Sequence, residues 1–263
     1  MTDINLNKWF YEKGYIISEI EHPSSFKRIE NEIIKITLNF LTTKKKPLLF
    51  LENLHRYIDY EKINSLRVYV YKKLNQKKWF REAYFNLAKN TIKNIVGDEL
   101  AMQNNINFSF QLPNDRTSQL SMHADSLSGE SMFQVVLWVP LMNVQKTSSM
   151  YVLSKKESIQ NIKNLKKFNK QGMHKIYINN KKKINFLSLK KNQFLLFSPN
   201  LLHGNVINQE RSTRVSMNCR FKNLFSPYNK KNHFGKRLGY FYSPLNIKPA
   251  TQFSLDFQIP YEF

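Results

Sequence analysis

Residues 194–221, FLLFSPNLLHGNVINQERSTRVSMNCRF, join two apolar segments through a polar stretch that contains a histidine. The segments FLLFSP and TRVSMNCRFK are short and rich in β-branched or aromatic residues, which indicates β-strands. The same features recur from about residue 104 onward. They predict further strands at NINFSFQLP, SMFQVVLWVPLM, SMYVLSK and KIYIN.

The first 97 residues have a different pattern. A strand is predicted at GYIISEI, followed by a helix over 24–41 with Ser24 or Ser25 as its N-cap, because its apolar residues recur at steps of three and four. Two more helices are predicted near 60–76 and 78–96, the last ending at Gly97. Helices followed by many short strands predict an α+β protein in which an antiparallel sandwich or barrel is covered on one side by helices.

Length and composition are consistent with one domain. The chain has 263 residues, of which 41% are hydrophobic and 14% aromatic, and this length does not require division into domains. We therefore predict a single domain over 1–263: helical support over 1–97, a strand-rich core over 98–228 with an insert near 157–172, and a C-terminal extension over 229–263.

The formal net charge of +22 raises the question of a polyanionic partner. The lysines are scattered among Asn and Ile, which favours compositional bias over a nucleic-acid interface. A single cysteine, Cys219, excludes an intramolecular disulfide and suits a reducing compartment. No apolar run approaches the ~20 residues of a membrane span, and the N-terminus lacks the pattern of a secretory signal. These features predict a cytoplasmic protein.

Three residues have the chemistry of a metal site. His123 and Asp125 lie two positions apart, so on an extended segment they point to the same face. His203 follows the apolar strand eighty residues later, and only a fold that joins two strands brings it to the pair. Two histidines and one carboxylate on one face of an iron leave adjacent positions open, as in non-haem Fe(II) oxygenases.

An anion-binding pair follows the distal histidine. Arg214 and Ser216 alternate onto one face of a predicted strand, eleven and thirteen residues after His203. An arginine fork with a neighbouring hydroxyl is a good receptor for a carboxylate. In a basic protein, Arg214 taken alone would fit a surface cation better, and its distance from His203 is what favours the anion-binding interpretation.

With these residues in place, the sequence resembles the Fe(II)- and 2-oxoglutarate-dependent oxygenases of the phytanoyl-CoA hydroxylase type. The shared motifs are His-x-Asp at 123–125, the distal histidine in LLHG at 201–204, and Arg-x-Ser at 214–216. A closer similarity, over most of residues 98–228, is to a branch found in sporadic carbohydrate-biosynthesis clusters, which includes a relative in the streptomycin pathway.

The resemblance implies a double-stranded β-helix, also described as a jelly roll or cupin-like core. It implies that His123, Asp125 and His203 hold Fe(II), and that 2-oxoglutarate chelates the metal while Arg214 and Ser216 bind its far carboxylate. O2 is the other cosubstrate, succinate and CO2 are released, and hydroxylation is the usual outcome. Related halogenases lack the carboxylate ligand, so the presence of Asp125 disfavours halogenation.

Other residues are secondary candidates. Gln111 is a candidate hydrogen-bond partner of the cosubstrate, and Trp138 occupies the place of an aromatic residue that flanks it. Candidate substrate contacts are Asn205, Asn218 and Arg220, and the segment SLSGES at 126–131 is expected at the mouth of the barrel. The remaining histidines lack partners at metal-ligand spacing and are interpreted as surface or structural: His22, His55, His174 and His233.

Two other classes of protein stay open from sequence. A cupin-like isomerase or sugar-binding protein would retain the three metal ligands without needing Arg214. A nucleic-acid-binding protein would need a basic face with aromatic residues, for which NQKKWFREAYF at 75–85 is the best stretch, although it also suits an amphipathic helix. The favoured ligand is a small molecule, such as an anionic sugar or a nucleotide sugar. The sequence does not define the oligomeric state.

Overall fold

The structure is a computed structural model that describes residues 3–42, 48–165, 172–228 and 237–256. The N-terminal third contains five helices and one strand in its described part. They are α1 (Asp3–Lys13), β1 (Tyr15–Glu19), α2 (Pro23–Phe40), α3 (Ile63–Asn75), α4 (Phe80–Asn86) and α5 (Lys89–Val96).

The predicted helices are confirmed with two corrections. α2 begins with Pro23 in its first turn and His22 before it, not with a serine cap, because proline is already set to the helical φ. The predicted helix over 78–96 is two helices, since Ala88 leaves the helical conformation. The carboxylate of Glu21 then caps α5 by accepting hydrogen bonds from the Asn90 and Thr91 amides at 2.7 and 2.9 Å.

The rest of the described chain is mainly strands. They are β2 (Leu100–Gln103), β3 (Asn107–Gln111), β4 (Gln134–Pro140), β5 (Tyr151–Val152), β6 (Asn185–Phe186), β7 (Gln193–Phe197), β8 (His203–Gly204), β9 (Arg214–Asn223) and β10 (Tyr242–Leu245). The helices among them are α6 (Lys155–Lys163), α7 (Gly172–Asn180) and α8 (Pro249–Asp256).

The strand predicted at KIYIN is wrong, because residues 175–179 lie within α7. Alternating apolar residues suggested a period of two. In the structure only Ile176 of this stretch is fully buried, with Tyr177 partly buried beside it, and both pack on the cluster that contains Met122 and Tyr151. Tertiary packing of one helical face therefore overrides the local strand pattern.

Seven of the ten strands in the described residues form an antiparallel sheet with β9 at its centre. Its order is β1-β7-β4-β9-β2-β10, and β3 also pairs with β9. β4 lies along one edge of β9, whereas β3 and β2 share the other edge, β3 opposite residues 214–218 and β2 opposite residues 221–223. β9 therefore holds three neighbouring strands in register.

The two faces of β9 have different surroundings. Val215, Met217, Cys219 and Phe221 are buried in the main apolar core with the N-terminal helices. A helical contact on this side is the hydrogen bond from the Tyr84 hydroxyl to the Leu137 carbonyl, at 2.9 Å. By alternation, the polar residues of β9 point to the opposite face of the sheet: Arg214, Ser216, Asn218 and Arg220.

A smaller antiparallel sheet has the order β6-β5-β8. Its own apolar cluster contains Tyr151, Leu202 and Ile176, and α7 contributes the last of these. The mixture of helices and antiparallel strands predicted from the sequence is thus confirmed. Within the described residues, no helix is both long and apolar enough to cross a membrane.

An ion pair between α3 and the segment after β3 connects the helices to the sheet. Arg67 contacts the buried Asp115 carboxylate at 2.5 Å and donates to the Phe110 carbonyl at 2.6 and 3.1 Å. Burial opposes the charge on Asp115, but hydrogen bonds from Thr117 and Arg67 lower the pKa of this carboxyl below its usual value. Arg67 therefore fixes the end of β3 through its backbone and through a buried charge.

We expect Arg67→Met to lower the free energy of unfolding by about 3 kcal/mol at neutral pH, because it leaves the buried Asp115 carboxylate without its cation. The native pKa of Asp115 is depressed, so its stabilising contribution is present above the unfolded pKa and is lost as pH falls through the native pKa. The deficit of the variant should therefore shrink on acidification. Urea unfolding at about pH 7 and at about pH 3, below the ordinary pKa of an aspartate, measures both quantities.

Lys62→Met is the matched control, because Lys62 pairs with Asp59 on the surface, with side chains 67% and 72% exposed. We expect its loss to leave the free energy of unfolding nearly unchanged, because water screens an exposed ion pair. An Arg67→Met deficit that stays constant from neutral to acidic pH would contradict the assigned role of Asp115.

Candidate metal centre

The metal centre begins with backbone pairing between two distant histidines. The amide of His123 donates to the carbonyl of His203, and the amide of His203 donates to the carbonyl of His123, both at 2.9 Å. This antiparallel bridge lies beside β8, so that His123 extends the smaller sheet by one residue. The imidazole rings consequently lie with their centroids 4.3 Å apart.

Asp125 completes the cluster from the short 3-10 turn Asp125–Ser128. Its Oδ1 lies 3.2 Å from Nε2 of His123 and 3.7 Å from Nε2 of His203. One donor atom from each residue lies within 4.8 Å of the others. The side chain of His123 is 25% exposed, whereas those of His203 and Asp125 are 6% exposed, so the centre is most open beside His123.

Both rings are oriented by hydrogen bonds at their inner nitrogens. Nδ1 of His123 lies 2.8 Å from the Ser121 carbonyl, and Nδ1 of His203 lies 2.8 Å from the Leu201 carbonyl. A carbonyl only accepts, so each Nδ1 carries a proton, and Nε2 is the ring nitrogen that faces Asp125. Hydrogen-bonded imidazoles of this kind are typical of metal ligands.

The charges in the cluster suit a divalent cation. Burial lowers the pKa of His203 to about 4, so this ring is neutral at physiological pH. Burial also opposes protonation of His123, but hydrogen bonds to Asp125 and to the Ser121 carbonyl raise its pKa overall. Burial opposes the charge on Asp125, yet the hydrogen bond from His123 and the charge of Arg220 hold the pKa of this carboxyl well below its usual range.

Arg220 contacts the cluster of His123, Asp125 and His203, called the metal-type cluster below. Its Nη2 is 2.8 Å from Oδ2 of Asp125, its Nη1 donates to Oε1 of Gln103 at 3.2 Å, and its Nε is 3.5 Å from Oε1 of Glu130. The sequence analysis predicted a substrate contact for this residue. In the structure, its contacts within the described residues are to Asp125, Gln103 and Glu130, and Asp125 is a candidate metal ligand.

A second polar cluster lies on β3 and the beginning of β9. Gln111 pairs with Arg214 and Ser109 with Ser216 in the strand register, so the four side chains share one face. Arg214 is 3% exposed, donates to the Ser109 hydroxyl at 3.2 Å and lies 5.9 Å from the ring of Trp138. No carboxylate pairs with Arg214 among the described residues.

Three buried polar atoms of this cluster have no hydrogen-bond partner within the described part of the chain. They are Nε of Arg214, Oγ of Ser216 and Oε1 of Gln111, although the Gln111 amide nitrogen donates to the Val206 carbonyl at 2.6 Å. Burial and, to a lesser extent, the charge of Arg67 lower the pKa of Arg214 to about 10. A buried cation beside an unpartnered hydroxyl makes these residues a candidate receptor for an anion.

The remaining predicted contacts differ in their surroundings. Asn205 uses both ends of its amide on the chain, accepting from the Leu120 amide at 2.5 Å and donating to the Ser118 carbonyl at 3.2 Å. It therefore holds the backbone before His123. Asn218 is half-buried between β3 and β4, and it makes no side-chain hydrogen bond within the described ranges.

Within the described residues, the other histidines belong to no group of side chains that could hold a metal ion. Nδ1 of His55 contacts the Thr213 hydroxyl at 3.0 Å, His22 precedes α2, and His174 is exposed on α7. His233 lies outside the described residues. The segment 126–131 does follow Asp125 directly, and the Ser126 amide donates to the Pro199 carbonyl at 3.3 Å.

The sequence analysis assigned no individual role to Ser109, Glu130 or Gly204. Ser109 lies two residues before Gln111 on the same strand face, and strand alternation identifies it once β3 is assigned. Gly204 has a steric role: a Cβ there would lie 2.6 Å from the Tyr151 hydroxyl and 2.8 Å from the Leu120 carbonyl. Because Gly204 has no Cβ, the Tyr151 hydroxyl and the Leu120 carbonyl can lie close to the main chain next to His203.

No protein-family model matches the chain, and no curated protein sequence matches it. Its fold is shared with solved non-haem oxygenases. One is a non-heme monooxygenase, ThoJ, as its Ni complex, with 13% identity over 84% of this chain and 79% of ThoJ and a TM-score of 0.55.

Two other solved structures have the same fold. EctD from S. alaskensis, with 2-oxoglutarate and 5-hydroxyectoine, is 14% identical over 87% of this chain and 78% of its own, with a TM-score of 0.55. The non-heme alpha ketoglutarate dependent epimerase SnoN from nogalamycin biosynthesis is 9% identical over 88% and 87%, with a TM-score of 0.51. At these identities the similarity establishes the fold, and activity depends on the site.

We expect Gly204→Ala to lower the free energy of unfolding by about 1–3 kcal/mol and to weaken metal binding, because the new methyl group would displace Tyr151 or the Leu120 backbone beside His203. Thermal unfolding and titration with Mn(II) measure the two effects. Gly239→Ala serves as a control, since its Cβ would meet no atom within 4 Å. Its left-handed backbone costs about 1 kcal/mol, and we expect it to leave Mn(II) affinity unchanged. Wild-type metal affinity in Gly204→Ala would contradict the prediction.

Proposed function

We propose that the protein is a non-haem Fe(II)- and 2-oxoglutarate-dependent oxygenase with a double-stranded β-helix core. The observation that carries this proposal is the buried Arg214, without a carboxylate partner among the described residues, in a molecule that also assembles His123, Asp125 and His203. A metal-type cluster alone suits many proteins. A separate buried receptor for a carboxylate suits an enzyme whose cosubstrate is a dicarboxylate.

The three donors fit Fe(II). Two neutral imidazoles and one carboxylate form the set that non-haem iron oxygenases use, with positions left for other ligands. Cys219, the one cysteine of the chain, is buried in the apolar core, so thiolate ligation does not compete. His123, Asp125 and His203 would hold the metal, and when bound with 2-oxoglutarate and O2 it would supply oxidation of a C–H bond.

The anion receptor fits the far carboxylate of 2-oxoglutarate. The Arg214 guanidinium has an unpartnered Nε, and the Ser216 hydroxyl and the Gln111 amide oxygen lie on the same face. A carboxylate accepts from Arg214 and Ser216. Trp138, on the neighbouring strand, packs near the guanidinium and limits access of water, which strengthens the ion pair. Arg214 and Ser216 lie on the polar face of β9, and Arg220 on the same face contacts Asp125 of the metal-type cluster.

We further propose that the substrate is a small carbohydrate or nucleotide sugar and that hydroxylation is the reaction, with succinate and CO2 as coproducts. This rests on the motif resemblance to the carbohydrate-cluster branch and on the net charge of +22, which favours an anionic substrate. The amide of Asn218, on the face between Ser216 and Arg220, is a candidate contact to substrate hydroxyl groups. A cytoplasmic location belongs to the same proposal.

Neither alternative class explains the site as well. An isomerase or sugar-binding protein has no evident need for a buried unpaired Arg214. For a nucleic-acid-binding protein, the stretch 75–85 would have to present its aromatic rings, but Phe80, Tyr84 and Phe85 are buried in the core.

We expect Arg214→Met to weaken 2-oxoglutarate binding by about 30-fold or more, because truncating a buried charged partner costs about 2–5 kcal/mol. Mn(II) binding in the absence of 2-oxoglutarate should stay as in the wild type, since Arg214 contacts none of the three metal-type residues. Anaerobic calorimetric titrations, first with Mn(II) and then with 2-oxoglutarate, separate the two steps.

Arg211→Met is the matched control. Arg211 is an exposed arginine three residues earlier in the chain, and we expect its loss to leave both affinities within about twofold. Unchanged 2-oxoglutarate affinity in Arg214→Met would show that the anion receptor serves another ligand.

We expect the wild-type protein with Fe(II), ascorbate and 2-oxoglutarate to add one oxygen atom to a member of a panel of sugars and nucleotide sugars, with one succinate formed per product. Mass spectrometry of product and succinate measures both. His203→Ala should form neither product, because it lacks one of the three ligands. Oxygen incorporation only into a non-carbohydrate panel would overturn the substrate class while leaving the oxygenase proposal intact.

A further inference from the structure

The two oxygens of the Asp125 carboxylate have separate partners. Oδ1 faces the histidines, at 3.2 Å from Nε2 of His123 and 3.7 Å from Nε2 of His203. Oδ2 instead accepts from Nη2 of Arg220 at 2.8 Å. One oxygen is therefore available to a metal at the three-residue cluster, and the other is engaged by a guanidinium.

Arg220 is itself held in place on two other sides. Its side chain is 13% exposed, with Nη1 on the Gln103 amide oxygen at 3.2 Å and Nε 3.5 Å from the Glu130 carboxylate. Rotating the guanidinium away from Asp125 would break these contacts as well. It would also leave two buried carboxylates near each other without their shared cation, which is strongly unfavourable.

The contacts of Glu130 extend this network to the edge of the large sheet. The Tyr242 hydroxyl on β10 contacts the Glu130 carboxylate at 3.1 Å and hydrogen-bonds Oε1 of Gln134, and the Gln134 amide nitrogen lies 3.4 Å from Glu130. All three side chains are buried. The main chain helps too, because the Glu130 amide donates to the Asp125 carbonyl at 3.3 Å.

We propose that Arg220 is a positioning residue that restricts Asp125 to one-oxygen coordination of the metal. The inference rests on the proposed metal centre and adds a role for a residue outside the three ligands. With Arg220 in place, Oδ2 is unavailable and the coordination positions not used by His123, Asp125 and His203 stay open for cosubstrate and O2. Without Arg220, Oδ2 turns to the metal and occupies one of those positions.

The test uses Mn(II) alone, without 2-oxoglutarate, and counts the exchangeable waters on the bound metal by water-proton relaxation. We expect Arg220→Met to lower the relaxation enhancement per bound Mn(II) by about a third, because a facial three-ligand site has about three open positions and Oδ2 would fill one. A purely structural loss would reduce the amount of bound metal and leave the number of waters on each bound ion unchanged.

Arg67→Met is the matched control, since it also removes a cation from a buried carboxylate, Asp115, which is not a metal-type ligand. We expect this variant to lose stability and to keep the wild-type water number. An equal water number in Arg220→Met and the wild type overturns the role of Arg220. Failure of the wild type itself to bind Mn(II) overturns the proposed metal centre instead.

X-ray absorption of the Ni(II)-loaded wild-type protein needs no substitution and applies even where Arg220→Met does not fold. One-oxygen coordination by the carboxylate is expected. Two oxygens of one carboxylate on the nickel of the wild-type protein would also overturn the assignment.

Discussion

The reciprocal backbone pairing of His123 and His203 is the constraint on which the centre depends. Two amide–carbonyl hydrogen bonds fix the relative position of residues that are eighty apart in the chain. Both bonds are between main-chain groups and involve no side chain. The ring orientations follow from carbonyls two residues earlier on each segment. Because main-chain groups supply these bonds, the chemistry of the ligands is independent of what holds them together.

β9 positions polar side chains of both candidate sites. Its pairing with β3 places Arg214 beside Gln111 and Ser216 beside Ser109, and its far end directs Arg220 to Asp125. The helical layer supports the same strand from the other face, and Arg67 holds the end of β3 through the Phe110 carbonyl. Helices that touch no candidate ligand therefore position the anion receptor.

The sequence predicted most of this arrangement where residue type and spacing carry the information. His-x-Asp, the distal histidine and Arg-x-Ser name the residues that the structure groups into two clusters. The prediction failed at KIYIN, since alternation over five residues fits a strand or one face of a short helix equally well. It was also wrong at Ala88, because the cap of α5 comes from Glu21, a partner distant in sequence.

The roles of polar side chains were harder to predict than their positions. Alternation placed Arg220 on the face that carries Arg214, but a guanidinium is long and its partner is decided by which carboxylate lies within reach. Asn205 likewise follows the distal histidine, yet its amide is used by the backbone at 118 and 120. Local spacing contains no information about such pairings, which arise only when separate segments are packed together.

The two-sided character of β9 limits how this fold can change over evolution. Insertion or deletion of one residue within this strand would exchange its core-facing and site-facing side chains, so that apolar groups would enter the site and charges would enter the core. New specificities must therefore arise by substitution at positions such as Asn218, or by variation of loops such as 126–131. Length variation among relatives is accordingly expected in the loops, while the span from Arg214 to Arg220 keeps its length.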